Sequence, residues 1–144
     1  MAEVITGPVV CTCTTLGPAA ARLGALRIDQ PMMRAAAQTR GPVVMAYALE
    51  STRAASRALF LAEGGEAGQL RLLDLTALWP LFESGDVPGF HAAIAEAAVD
   101  RPAGETVVLA QASMAGAAPM IAAAGHHVLA SPEMALRAGL ALLD

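Results

Sequence analysis

Apolar positions along this chain fall into short blocks that alternate with stretches of helical periodicity. Residues 4–12, 43–48, 70–75 and 106–110 are apolar blocks of strand length, and 128–130 is a shorter one. Runs of that size, bounded by Gly, Pro or charged residues, predict buried strands. The third is broken only by Arg71 and Asp74. Residues 18–23 read as a short helical turn. Ile28 is expected to be extended because Pro31 follows closely, and Pro31 suits the first turn of a helix reaching Gln38. Ala55, Leu59 and Ala62 recur on one helical face, which predicts a helix capped by Ser51 or Thr52 and stopped at Gly64-Gly65. Trp79-Pro80 and Gly85-Asp86 bracket a short helical segment. Further helices are expected over 88–98 and 113–124. The last starts at Ser131-Pro132-Glu133, with Pro in its first turn and Glu at the positive end of its dipole, and runs to the C-terminus.

Strands alternating with helices predict an α/β fold, a parallel sheet flanked by helices on both faces. Two strand ends in this scheme carry nearly the same pattern. Val9-Val10-Cys11-Thr12-Cys13-Thr14-Thr15-Leu16-Gly17 and Val107-Val108-Leu109-Ala110-Gln111-Ala112-Ser113-Met114-Ala115 both end an apolar run in small polar residues. The carboxyl ends of parallel strands are where α/β proteins bind ligands.

Composition narrows the field. The chain has 144 residues, 56% of them hydrophobic, and a mean hydropathy of +0.52. Charged residues, Gly and Pro interrupt every apolar run before the roughly 18 residues that a membrane span needs. No membrane association is therefore expected. The net charge is −4, and all nine basic residues are arginines scattered along the chain. No basic stripe forms, so nucleic acid is not an expected partner. The first eight residues lack the basic and apolar regions of a secretory signal. Two cysteines two positions apart are poorly placed for a disulfide, and a reducing cytoplasm fits them best.

Cys13 carries the sharpest chemical reading. It leaves a buried strand where the amides of Thr14 and Thr15 can turn toward an anion, and such a setting makes a thiol a better base or nucleophile. The alternative is a small apolar side chain, as buried cysteines often are. Cys11, one pleat deeper, reads as core. Gln111 is either a polar strand end or a donor to a substrate carboxylate, and Ser113 reads as a helix cap. Asp29 and Glu50 fall at element ends and read as solvated or capping. His91, His126 and His127 do not complete a second spaced ligand pair with the cysteines, so no metal site is expected. Nucleotide-binding glycine motifs are missing from the sequence as well.

The two tips, together with Ile28-Asp29-Gln30-Pro31-Met32, Leu49-Glu50-Ser51-Thr52 and Ala130-Ser131-Pro132-Glu133, resemble the aspartate/glutamate/hydantoin racemase superfamily, in order and over nearly the whole chain. The resemblance implies two pseudo-symmetric α/β lobes, approximated by residues 1–40 with 131–144 and by 41–130, holding a small carboxylic or amino acid between them. It implies proton transfer without a cofactor, with Cys13 as catalytic thiol. Thr14, Thr15, Thr52, Gln111, Ala112 and Ser113 would then be substrate-binding. Where the superfamily has its second cysteine this chain has Gln111, whose amide neither accepts nor delivers a proton at neutral pH. That departure leaves open a catalytically silent carboxylate binder or a one-cysteine, decarboxylase-like enzyme. The first lobe is also shortened relative to the superfamily pattern. A sheet edge left open there leads to the expectation of a homo-oligomer.

Overall fold

A computed structural model describes residues 7–143. Two short strands, β1 (Val10–Cys11) and β2 (Leu26–Arg27), flank α1 (Gly17–Arg22) and are followed by α2 (Gln30–Ala37). The main sheet comes next: β3 (Val43–Tyr47), α3 (Glu50–Ala62), β4 (Leu70–Asp74), α4 (Trp79–Glu83), α5 (Val87–Val99), β5 (Thr106–Leu109), α6 (Ala118–Ala123), β6 (His127–Ala130) and α7 (Ser131–Leu140). Every strand pair is parallel. The main sheet has the order β4-β3-β5-β6, and among the described residues β1 pairs only with β2. This is the expected α/β architecture.

Alternation along the strands assigns each side chain to a face. Val43, Met45, Tyr47, Val108 and Ala110 look toward α2 and α3, where Met32, Met33 and Phe60 are fully buried. Ala46, Val107 and Leu109 look the other way, onto Phe90, Ile94, Met114 and Ile121. Phe60 and Phe90 thus anchor opposite faces, and truncating either to Ala should cost about 3–5 kcal/mol. Gly64, at φ +98°, takes the left-handed turn that stops α3. At Gly139, α7 lies over Leu26 and Val10 of the small sheet.

Several sequence expectations shift. Of the strand expected over 4–12, the described part that pairs is Val10–Cys11, and residues 4–6 lie outside the described residues. Pairing on the neighbouring strand is made by Leu26–Arg27, one step before Ile28, whose N–H still bonds the Cys11 carbonyl at 3.0 Å. The helix expected over 113–124 is split into a 3-10 turn, Ala112–Ala117, and α6, with Pro119 in the first turn of the latter. Among the described residues no helix is long and apolar enough to cross a membrane.

Candidate functional site

All strands being parallel, their carboxyl ends gather on one side. There a cleft of about 240 Å³ is lined by Thr12, Cys13, Thr14 and Thr15 from the β1–α1 loop, and by Leu49 and Thr52 at the start of α3. Gln111, Ala112 and Ser113, after β5, complete it. Three roomier grooves, of about 510, 730 and 640 Å³, hold none of these residues. Volume does not single out the smaller cleft; the convergence of polar groups from three strand ends does. Every residue that the sequence singled out for the site lines it. Thr12 and Leu49 join them.

The first tip is held by backbone turns and presents its thiol outward. Cys13 is exposed and Cys11 half-buried. Cys11 is therefore not the core residue expected; its Sγ points to the Cys13 carbonyl, 3.6 Å away. Thr14 is buried, and its hydroxyl donates to the Ala110 carbonyl at 3.3 Å. Its hydroxyl proton is thereby committed to the second tip. Among the described residues the N–H groups of Thr14 and Thr15 have no protein acceptor.

The second tip is organised by Gln111. Its Oε1 accepts the N–H groups of Ala48 and Leu49, at 2.7 and 3.0 Å. These bonds settle the orientation of the amide, because only the oxygen accepts. The planar group then turns its NH2 away from that backbone turn, and Gln111 lines the cleft. Local sequence signals place the cap of α3 on Ser51 or Thr52, but the flanking residue is Leu49, which makes no side-chain cap. Thr52 is buried instead, its N–H bonded to the Leu49 carbonyl at 3.0 Å. Ser113 is likewise not a cap. It lies inside the 3-10 turn, and its carbonyl accepts from His91 Nε2 at 2.8 Å, which fixes the Nε2–H tautomer. His91 thus supports the cleft from outside, a role that no motif announces.

Asp29 also departs from its expected solvated or capping role. It is buried and grips Arg27 through two bonds, Nε to Oδ1 at 3.0 Å and Nη2 to Oδ2 at 2.8 Å. Glu50 stays exposed and pairs with Arg53. Beyond the cleft, burial first and then the Asp74 carboxylate raise the Tyr47 phenol above its ordinary value. Asp74 is held below the usual carboxylate range by the Thr76 N–H and hydroxyl. Burial pushes Glu63 up, but hydrogen bonds from Gln30 and Arg34 outweigh it and leave its carboxyl lowered.

No family model matches the chain, and no curated protein matches it by sequence. Among solved structures it is similar to glutamate racemase from Thermus thermophilus in complex with β-chloro-D-alanine, with a TM-score of 0.67 at 19% identity. That likeness covers 94% of this chain and 55% of the other, so the chain spans about half the length of the racemase structure it matches. The architecture around the cleft is thus a racemase-type α/β fold.

Proposed function

We propose that the chain is a cofactor-independent, racemase- or isomerase-like enzyme acting on a small carboxylic or amino acid, with Cys13 as its thiol base. The observation that carries this reading is the cleft itself. It joins an exposed thiol to two amides that have no protein acceptor among the described residues on one tip, and to the carboxamide of Gln111 on the other. In this reading the substrate carboxylate rests on the N–H groups of Thr14 and Thr15, with Thr52, Gln111, Ala112 and Ser113 completing the cradle. Cys13 as thiolate takes the α-proton, the electron pair left on carbon delocalises into the carboxylate, and hydrogen-bond donors aimed at that carboxylate stabilise the developing charge. The same thiol returns the proton.

Gln111 constrains the stereochemistry. An amide offers no proton from the opposite face at neutral pH, and among the described contacts His91 bonds the Ser113 carbonyl rather than its hydroxyl. The expected chemistry is therefore single-faced: exchange of the α-proton with retention through the Cys13 thiolate, or departure of a carboxylate as CO2, whose bonding electron pair stays on carbon and takes its proton from Cys13 in its thiol form. The reading places the protein in a reducing cytoplasm, where Cys13 stays a thiol.

Deuterium entry at the α-carbon of amino and dicarboxylic acids in heavy water tests the proposal. Cys13→Ala should abolish it, and Cys11→Ala should leave most of it. Equal exchange with and without the Cys13 thiol would overturn it. Gln111 also favours a second reading, a silent carboxylate binder of the same fold. Saturable binding of those acids without any exchange would select that one.

A further inference from the structure

The loop that carries Cys13 is bracketed by one buried ion pair. Upstream, Cys11 lies in register with Arg27 across the small sheet. Downstream, the Gly17 N–H closes the turn on the Thr14 carbonyl at 3.3 Å, and Gly17 opens α1. A Cβ on Gly17 would lie 2.7 Å from Arg27 Nε and 3.0 Å from its Cζ. The guanidinium therefore sits directly against the backbone where the Cys13 loop enters its helix, and only glycine leaves it that room. Asp29 adjoins α2 but makes no side-chain cap there, and both its oxygens go to Arg27. The two side chains are 9% and 1% exposed.

A buried pair of this kind contributes little net stability, since desolvation offsets the attraction between the charges. What the two-pronged geometry supplies is orientation. We propose that Arg27, clamped by Asp29, is a positioning residue that holds Cys13 and the open amides of Thr14 and Thr15 in their ligand-ready arrangement. Neither side chain lines the cleft, so neither is catalytic. The inference rests on the reading of this cleft as a carboxylate site.

The test uses the full chain with Cys11→Ala, which leaves Cys13 as the single thiol. Alkylation by iodoacetate, which carries a carboxylate, is compared with alkylation by neutral iodoacetamide, alongside amide hydrogen exchange over residues 13–17. Arg27→Lys keeps the charge but loses the fork. The pair Arg27→Met with Asp29→Leu removes both charges at similar volume and guards against misfolding from an orphaned carboxylate. Both should lower the iodoacetate preference about fivefold or more, the factor that one kcal/mol carries, and speed exchange over 13–17, while the melting temperature moves little. An unchanged preference and unchanged exchange in a folded variant would overturn the positioning role. A parent protein without any iodoacetate preference would instead sink the carboxylate reading, and exchange over 13–17 alone would then decide the role of Arg27.

Discussion

Thr14 donates its hydroxyl to the carbonyl of Ala110 at 3.3 Å, joining two strand ends that stand 96 residues apart in the chain. This bond ties the loop after β1 to the residue that follows β5, and so couples the small sheet to the main one. Thr14→Val keeps the shape and removes the donor, leaving a buried carbonyl without that partner. The expected loss is about 1–3 kcal/mol of stability. Denaturant unfolding measures it, and Thr14→Ser should restore most of the loss. A Thr14→Val protein as stable as its parent would show that the bond joins nothing of consequence.

Gln111 allows two separate tests, one for each end of its amide. Gln111→Leu orphans the N–H groups of Ala48 and Leu49 and should cost about 1–3 kcal/mol for each one left unsatisfied. Gln111→Glu keeps an acceptor for those amides but replaces the NH2 with a negatively charged oxygen. We expect it to stay folded and to bind carboxylates about tenfold or more weakly, as loss of a hydrogen bond to a charged group implies. Calorimetric titration with dicarboxylic acids reads the second effect. Undiminished binding by Gln111→Glu would remove Gln111 from the cradle.

Glu63 couples α2 to α3 through Gln30 at 2.7 Å and Arg34 at 2.8 Å. Its folded carboxyl is lowered from the ordinary 4.5, so the unfolded chain takes up the proton first as pH falls. Its contribution is therefore complete above about pH 4.5 and is lost as pH drops through the folded value. Tyr47 acts at the other end of the scale. Its raised phenol contributes fully below about pH 10, the ordinary value, and that contribution fades as pH rises through the higher folded one. Unfolding midpoints against pH should flatten on the acid side in Glu63→Gln and on the alkaline side in Tyr47→Phe.

Among the described residues the small sheet has two strands, and large apolar side chains stand exposed at β1, at the ends of α1, and on α7 and beyond: Val9, Val10, Leu16 and Leu23, then Leu136, Leu140, Leu142 and Leu143. Two parallel strands alone make a marginal sheet. We propose that a second copy of the chain covers this edge, giving a homo-oligomer. Size-exclusion chromatography with light scattering should return at least twice the monomer mass, and Leu136→Glu with Leu140→Glu should reduce it. A monomer at all concentrations would end the proposal.

Local sequence was enough to read the alternation of strands and helices, the parallel α/β class and the two polar strand tips that line the cleft. Those features are written in local periodicity and in Gly and Pro punctuation, which act within a turn or two of the residues that carry them. Long-range packing alone sets that Gln111 holds the start of α3, that Asp29 clamps Arg27, and that Ser113 offers its carbonyl to His91 rather than capping a helix. Gln111 meets Ala48 from 63 residues away, and His91 meets Ser113 from 22. A polar side chain bonds whatever partner the packing brings within about 3 Å, and strand order, not neighbouring sequence, sets which partner that is.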